Sequence, residues 1–191
     1  MTPATLDSAP DATPATPPDA AAMLATFDRH MAAELAGDLD TTMATMTDAP
    51  YVNHVPVGTG GVGREGVLAF YRDHLVGRFM PPDVAIEQVA RTVGVDRVVD
   101  ELVITFTHTV PVDWMLPGLA PTGRRVEAAV VVVVGFAGER IAFERIYWDQ
   151  ASVLVQLGLL DPAGLPVSGA ESARKVLDPR LPSRQIASPG P

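Results

Sequence analysis

The sequence predicts an α+β domain in which one curved, mostly antiparallel sheet wraps around N-terminal helices. Two observations support this fold class. Helical periodicity dominates residues 20–76, whereas residues 84–149 form four long segments rich in β-branched residues, with no helix between them. This segregation excludes a parallel, doubly wound sheet, in which helices and strands alternate. A sheet curved around the first helix would leave an apolar cavity between the two.

The first two helices are predicted from apolar spacing and from their ends. The first runs from about Ala20 to Gly37, with Asp19 as a candidate N-cap. Its expected buried face recurs at spacings of three and four: Leu24, Phe27, Met31 and Leu35. Asp38 can cap a second helix, residues 39–46, which the TDAP segment at 47–50 should end.

The next segment predicts a short strand, Tyr51–Val57, a glycine-rich turn and a third helix, Arg64–Val76. Four long strands follow, at residues 84–92, 97–110, 124–136 and 140–149. The valine run 130–134 is typical of a central strand. A last short helix is expected at residues 151–159.

One connection, residues 111–123, is unusually apolar for a loop. It carries Trp114, Met115 and Leu116 between two predicted strands. Such side chains are rarely left in solvent, so we expect this loop to lie over the domain.

The two ends of the chain differ in composition from the predicted domain, residues 21–162. Residues 1–20 are mainly Pro, Ala, Thr and Asp, which predicts a disordered tail. Residues 163–191 form a Pro-rich extension with one helical turn near 170–177, and we expect it to wrap around the domain or a partner chain.

Composition excludes several function classes. The net charge of −9 disfavours nucleic-acid binding, because the phosphate backbone would be repelled. The absence of cysteine excludes disulfides and thiolate chemistry. No apolar run is long enough to span a membrane, and no signal-peptide pattern begins the sequence, so we expect a cytoplasmic protein without a membrane partner.

The segment GTGGVG, residues 58–63, matches the G-x-G-x-x-G pattern of dinucleotide-binding turns, and Asp83 follows at a suitable distance. The strand before it, however, carries Asn53, His54 and Pro56, where a buried parallel strand would be apolar. No second mononucleotide-binding half follows. We therefore interpret the glycines as a flexible turn before Arg64 and expect no cofactor.

Four histidines, at positions 30, 54, 74 and 108, are the candidate imidazoles. None of them are spaced i, i+4, and HExxH is absent, so we expect no metal. A site assembled in space from His54, His108 and a carboxylate is the metal-dependent alternative. His54 ends a strand beside the glycine turn, where a neutral imidazole can accept a proton. The alternative is that His54, like His30, is structural.

Two predicted strands carry a carboxylate among large apolar residues. Glu144 shares a face with Ile146 and Trp148. If that face lines the cavity, desolvation should raise the pKa of Glu144 and make it a general acid; the alternative is that the face points outward. On an earlier strand, Asp100 and Glu101 point to opposite faces, and the apolar neighbours favour Asp100 as the inward residue. Asp100 shares its face with Leu102, Ile104, Phe106 and His108.

Three patterns occur in order within residues 21–160. They are RHMAAELAGDL at 29–39 followed by DAPYVNHVPVG at 48–58, GREGVLAFY at 63–71, and FAGERIAFERIYWDQASVL at 136–154. Together they resemble the nuclear transport factor 2-like superfamily, in particular its ketosteroid isomerase and SnoaL-like polyketide cyclase branch. The resemblance implies a cone-shaped α+β barrel with an internal cavity.

The resemblance also implies roles for individual residues. The carboxylate base of the isomerase branch corresponds to His54, its oxyanion-binding tyrosine to His30, and its aromatic pocket wall to Trp148. The second acid of that branch falls at about Val132 and is absent. The resemblance therefore favours SnoaL-like chemistry over steroid isomerisation.

We accordingly expect a cofactor-independent acid–base enzyme of the isomerase, cyclase or dehydratase type, with epoxide hydrolysis less favoured. Its substrate would be a hydrophobic small molecule such as a polyketide or terpenoid. Four residues are candidate catalytic groups: His54, His30, Glu144 and Asp100. Seven are candidate substrate contacts: Tyr71, Phe106, His108, Trp114, Met115, Leu116 and Trp148.

The alternative from another class is a non-catalytic ligand-binding or dimerisation module of the same fold. A cavity in which His30, His54 and a carboxylate converge would favour the enzyme, whereas a cavity filled by Met and Leu would favour the module. The resemblance also implies a homodimer that pairs through the outer face of the sheet.

Overall fold

The computed structural model describes residues 19–75 and 79–183. The predicted disorder of residues 1–20 falls outside this range except for Asp19 and Ala20, and Val76 of the predicted third helix also lies outside it. The C-terminal extension is described as far as residue 183.

Helices occupy the start of the described chain and its end. The five α-helices are α1 (Ala20–Ala36), α2 (Leu39–Ala44), α3 (Gly63–Phe70), α4 (Gln150–Gln156) and α5 (Glu171–Leu177). Helix α3 continues directly into a single π-helical turn, Tyr71–Leu75.

The strands of the described residues form one six-stranded sheet in the order β2-β1-β6-β5-β4-β3. They are β1 (Met46–His54), β2 (Thr59–Val62), β3 (Ala85–Val93), β4 (Arg97–Thr107), β5 (Arg125–Ala137) and β6 (Arg140–Trp148). All neighbours pair antiparallel except β1 and β6, which are parallel. The predicted α+β class is therefore confirmed.

The capping predictions are confirmed at two ends and wrong at one. Gly37 ends α1 in the left-handed conformation, with φ of 75°. Asp38 caps α2, since its carboxylate accepts a hydrogen bond from the backbone N–H of Thr41 at 3.0 Å. Asp19 makes no side-chain capping bond to α1.

The buried face of α1 is rotated from the predicted one. Phe27 is buried as expected, but Leu35 is 58% exposed and the polar residues His30 and Glu34 point inward. Apolar periodicity alone misplaced this face because both polar side chains have buried partners in the cavity, described below.

The segment predicted to stop α2 instead begins β1 at Met46. The pairing of β1 with β6 has an irregularity between Met46 and Tyr51, around Pro50, which cannot donate a backbone hydrogen bond. The strand then ends at His54, so the imidazole sits at the edge of a turn as predicted.

The glycine-rich segment is a strand and not the flexible turn that the sequence suggested. Residues Thr59–Val62 form β2, which pairs antiparallel with β1. A Cβ added to Gly60 would lie 2.0 Å from the carbonyl oxygen of Val52, and one added to Gly61 would lie 2.3 Å from that of Gly66. Close packing of β2 between β1 and α3 therefore explains these two glycines without a nucleotide.

The apolar connection 111–123 covers one end of the sheet, as predicted. Trp114, Met115 and Leu116 are buried. The indole N–H of Trp114 donates to the carbonyl oxygen of Phe79 at 2.8 Å, and its carbonyl accepts from the Thr59 hydroxyl at 2.6 Å. These bonds tie the loop to β2 and to the segment before β3.

The C-terminal extension packs on its own chain as far as it is described. Arg174 of α5 forms an ion pair with Glu127 of β5 at 2.6 Å, and Ala173 is fully buried. The Ser152 hydroxyl of α4 donates to the Gly169 carbonyl at 2.7 Å. No helix among the described residues is long and apolar enough to cross a membrane.

Gly61→Ala is expected to destabilise the domain by about 1–3 kcal/mol, because its Cβ would enter the backbone of α3. Gly66→Ala is the matched control: its Cβ would meet nothing closer than 3.8 Å, and alanine favours the helix by about 0.5–1 kcal/mol. Denaturant unfolding measures both. Equal effects of the two substitutions would contradict the close-packing explanation.

Candidate active site

A cavity of about 330 Å³ lies between α1 and the concave face of the sheet. Its walls are mainly aliphatic and aromatic. Among the described residues, six polar side chains reach it: Glu34, His54, Gln88, Arg91, Asp100 and Glu144. A few polar groups on an apolar wall are typical of a small-molecule site.

Glu144 of β6 is the best-supported polar group in the cavity. Its Oε2 accepts a hydrogen bond from the Tyr71 hydroxyl at 3.0 Å. Its Oε1 lies 3.1 Å from Nε2 of His30, close enough for a strong charge interaction. The π-helical turn starts at Tyr71 and α1 carries His30, so three elements meet at this carboxylate.

The protonation state of His30 follows from its other partner. The Thr45 hydroxyl donates to the Thr42 carbonyl at 2.6 Å, so it can only accept from His30 Nδ1, 2.7 Å away. Burial would lower the pKa of His30, but the charges of Glu144 and Glu34 raise it to about 9. At neutral pH His30 is therefore an imidazolium with both N–H groups directed to buried acceptors.

This imidazolium keeps Glu144 ionised. Burial would raise the pKa of Glu144, but the charge of His30 and the hydrogen bond from Tyr71 hold it below its usual value. The sequence-based expectation of a raised pKa is thus wrong, because the cation that opposes desolvation comes from a distant helix. Within the described residues, Oε1 of Glu144 is buried and makes no hydrogen bond of regular geometry, and the imidazolium of His30 is its charge partner.

Glu34 is a functional candidate that sequence reasoning missed. It is buried, lines the cavity, and has a carboxyl oxygen within 4.8 Å of the ligand atoms of His30 and Glu144. Burial and the nearby charge of Glu144 raise the pKa of Glu34 to about 8. Its position one helical turn after His30 was the available signal in the sequence.

His54 faces the cavity from the end of β1. Its Nδ1 lies 3.3 Å from the Thr59 carbonyl, which can only accept, so the proton is on Nδ1 and Nε2 is free to accept. Three aromatic rings surround it: Phe70, Trp114 and Trp148. This burial lowers the pKa of His54 to about 4, so the imidazole is neutral at physiological pH.

A second polar cluster occupies the side of the cavity formed by β3 and β4. Asp100, which is buried, accepts from Nε and Nη2 of Arg91 at 2.6 and 2.7 Å. Gln88 donates to the same carboxylate at 3.3 Å. The inward direction of Asp100 agrees with its prediction from strand alternation.

Of the predicted site residues, four line the cavity: His54, Glu144, Asp100 and Trp114. The others are buried behind its surface: His30, Tyr71, Phe106, His108, Met115, Leu116 and Trp148. His30 and Tyr71 still contact the site through Glu144, and Trp148 supports the ring of His54.

His108 is placed differently from its prediction as a substrate contact. It follows the end of β4, fully buried, and its Nδ1 lies 3.3 Å from the Thr122 hydroxyl. It therefore ties the end of the 111–123 connection to the end of β4 rather than facing the cavity.

The described residues bring one set of possible metal ligands together: His30, Glu34 and Glu144, with ligand atoms within 4.8 Å of one another. The predicted alternative, His54 with His108, is not assembled. In this cluster His30 already compensates the charge of Glu144, and both its N–H groups face acceptors. An imidazolium has no lone pair to offer a metal ion, so His30 in this state is not available as a ligand.

A family model described as "SnoaL-like domain" matches residues 27–144. This range includes the site residues described above: Glu34, Glu144, His30, His54 and the Arg91–Asp100 pair. Comparison with curated proteins gives no match.

Solved structures support the same fold. A protein from Jannaschia sp. CCS1, provisionally assigned as a SnoaL-like polyketide cyclase, is 19% identical, with 80% of this chain and all of that chain covered and a TM-score of 0.59. IdmH from Streptomyces antibioticus, provisionally a polyketide cyclase, is 23% identical (71% and 97% covered, TM-score 0.53). A ketosteroid isomerase-like fold from Catenulispora acidiphila is 17% identical (71% and 93% covered, TM-score 0.51).

The raised pKa of Glu34 predicts a pH-dependent stability. A carboxyl group whose pKa is higher in the folded than in the unfolded protein stabilises the fold below its ordinary pKa, and this contribution is lost as the pH rises toward about 8. The Glu34→Gln variant has no group that ionises here, so its stability should not fall in this way. The free energy of unfolding of the variant minus that of the wild type should therefore increase from pH 5 to pH 8 by on the order of 3 kcal/mol.

Urea unfolding at the two pH values measures this difference. Glu87→Gln, at an exposed position on β3, is the control and should follow wild type at both. A constant difference between Glu34→Gln and wild type would contradict a buried neutral carboxyl group.

Proposed function

Because the chain belongs to the SnoaL-like domain family, we propose that its cavity is the active site of an acid–base enzyme acting on a hydrophobic small molecule. The expected reaction is an isomerisation, cyclisation or dehydration, and the expected substrate class is a polyketide or terpenoid. The chain's own side chains supply the proton chemistry, so the proposal requires no cofactor.

One observation carries the proposal: Glu34 and Glu144 line one apolar cavity, with carboxyl oxygens within 4.8 Å of each other and of His30, while the His30 imidazole and the Tyr71 hydroxyl contact Glu144. Two carboxyl groups whose pKa values are pushed apart at neutral pH can act as an acid and a base in the same step. Glu144, ionised by His30, is the base. Glu34, kept neutral by burial, is the acid.

The first step is proton abstraction next to a carbonyl group. Glu144 accepts the proton from carbon, the electron pair of the broken C–H bond forms a C=C bond, and the carbonyl oxygen takes the proton of Glu34 to give an enol. Return of the proton from Glu144 to another carbon, with the enol proton going back to Glu34, would complete an isomerisation. Attack of the enol on a second carbonyl would form a ring: the oxygen of that carbonyl takes the proton of Glu144, and the enol proton returns to Glu34. In a dehydration, a β-hydroxyl group would leave as water with the proton of Glu144, and the enol proton would again return to Glu34.

His30 and Tyr71 are positioning residues in this mechanism, since both act through Glu144. His54 has a different role from the base that the resemblance implied. Its imidazole is neutral at physiological pH, and its free Nε2 can accept a hydrogen bond from a substrate hydroxyl and orient the ring system.

The open cavity favours an enzyme over the non-catalytic module. Among the described residues, Met and Leu side chains do not fill the space between α1 and the sheet, and His30 meets the carboxylate of Glu144 behind it. His54, the third group of the expected convergence, lines the same cavity but makes no hydrogen bond to either of them. A binding module would have no need for an ionised and a neutral carboxyl group side by side, because burying both disfavours folding.

The acid–base step can be tested without the natural substrate. We expect the wild-type protein to accelerate exchange of the C2 protons of 1-tetralone, a bicyclic apolar ketone, with deuterium from D2O. Glu144→Gln should lower the rate by at least about 100-fold and Glu34→Gln by at least about tenfold, because each removes one partner of the transfer. Proton NMR follows the loss of the C2 signal.

Glu101→Gln is the matched control, since this carboxylate lies on the opposite face of the sheet from its neighbour Asp100 and does not line the cavity. It should exchange at the wild-type rate. If Glu144→Gln and Glu34→Gln also exchange at that rate, the acid–base assignment is wrong.

The rate of exchange should depend on pH in a bell shape. The rate rises at low pH as Glu144 ionises, below the ordinary carboxyl range, and falls as the pH passes about 8, where Glu34 loses its proton. His30, Tyr71 and His54 face the pair, and the deprotonation of His30 near pH 9 reinforces the alkaline fall. Glu34→Gln should leave an alkaline limb that follows the deprotonation of His30 alone; a limb unchanged from wild type would show that Glu34 is not the acid.

A further inference from the structure

The proposed proton transfer leaves one polar cluster of the cavity without a role. Arg91, Gln88 and Asp100 lie on β3 and β4, whereas Glu144 and His54 lie on β6 and β1 across the sheet. Asp100 is only 4% exposed and needs a compensating charge, which Arg91 supplies. The Arg91 side chain is 27% exposed and Gln88 is an exposed residue, so both lie at the open edge of the cavity, where neither has a role in the proposed proton transfer.

A β-bulge directs Arg91 into the cavity. Gln88 pairs with Leu102 and Arg91 pairs with Asp100, with a register shift between Gln88 and Ala90. In a regular strand, residues three apart point to opposite faces. The extra residue, Val89, places both Gln88 and Arg91 on the cavity face, as bulges next to binding sites commonly do.

The guanidinium group is held rigidly from several sides. Asp100 binds it through two hydrogen bonds, Asp28 of α1 accepts from Nη1 at 3.0 Å, and the ring of Phe27 lies 5.0 Å from its centre. These bonds use three of the five N–H groups of the arginine, which leaves one on each terminal nitrogen. Gln88 likewise uses one amide N–H and retains the other.

The register of the sheet fixes the distance to the acid–base pair. Glu144 is opposite Val134, which is opposite Val98, and Asp100 lies two residues further along β4. Glu144 and Asp100 are thus two strands apart across the sheet and two residues apart along it. This places their backbone atoms about 12 Å from each other. A molecule with two or three fused rings and an oxygen at each end spans a gap of about this size.

We propose that Arg91 and Gln88 form a second substrate-binding subsite that takes a neutral oxygen acceptor, a carbonyl or hydroxyl group, at the end of the substrate remote from Glu34 and Glu144. Asp100 compensates the charge of Arg91, so a neutral oxygen is favoured over a carboxylate. The inference rests on the proposed function in one respect, that the cavity binds the substrate. It narrows the substrate class to fused-ring compounds that carry oxygen at both ends.

Binding of two naphthols tests the subsite independently of catalysis. Naphthalene-2,6-diol has an oxygen at each end, and 2-naphthol has one; the fluorescence of both reports binding. In the wild type the diol should bind about tenfold more tightly, as expected for a hydrogen bond to a charged donor. Arg91→Met should abolish this advantage and leave the affinity for 2-naphthol within about twofold of wild type.

Arg91→Met leaves Asp100 buried without its partner and can lower stability. The double variant Arg91→Met/Asp100→Asn removes both charges, and it should fold, by circular dichroism, and show equal affinity for the two naphthols. Arg97→Met is the matched control: this arginine on β4 pairs with Asp96 outside the cavity and should keep the tenfold advantage.

Three results would overturn the subsite. The wild type could bind the two naphthols with equal affinity, it could bind neither of them, or the folded double variant could keep the tighter binding of the diol. None of these binding results depends on proton transfer. The deuterium-exchange experiment, with its Glu144 and Glu34 variants, tests the reaction alone. A protein can therefore pass one test and fail the other.

Discussion

The charge interaction between His30 and Glu144 is the constraint on which the rest of the site depends. Neither group could stay ionised alone in an apolar interior, because each would lose its hydration without compensation. Thr45 and Tyr71 complete the arrangement by occupying the remaining nitrogen of His30 and the second oxygen of Glu144. The turn after α2, the inward face of α1 and the π-helical turn must all be in place for this pair to form. The fold is thus organised to hold one buried anion.

That anion determines the state of its neighbours. Glu34 remains neutral because its own ionisation would add a second negative charge beside Glu144. Burying the carboxyl group of Glu34 in its protonated form at neutral pH lowers the stability of the fold. A site that served only for packing would not contain such a group. The aromatic cage of His54 has the same character, since it keeps an imidazole neutral where a solvated one would titrate. The cavity combines one fixed charge with hydrogen-bonding groups whose protons are defined.

Much of the fold could be predicted from the sequence, because it depends on local periodicity. Alternation along β4 favoured Asp100 as the inward residue, alternation along β6 grouped Glu144 with Ile146 and Trp148 on one face, and Gly37 marked the end of α1. Glu34 was missed because the helix face was chosen from apolar residues, and its partner Glu144 is remote in sequence. The same long-range contact reversed the expected pKa shift of Glu144. The strand β2 was missed because glycines have low strand propensity, and its pairing with β1 is tertiary packing.

The bulge at Val89 has an evolutionary consequence. Along a strand, inside and outside follow odd and even positions, so one inserted or deleted residue changes which side chains face the ligand. A relative without this residue would keep the counterpart of Arg91 opposite that of Asp100, because the β3–β4 turn fixes their register, and would turn the counterpart of Gln88 toward solvent. Its acid–base pair, carried on other elements, would stay in place. Length variation in a single edge strand would then diversify what such proteins accept without altering the reaction they perform.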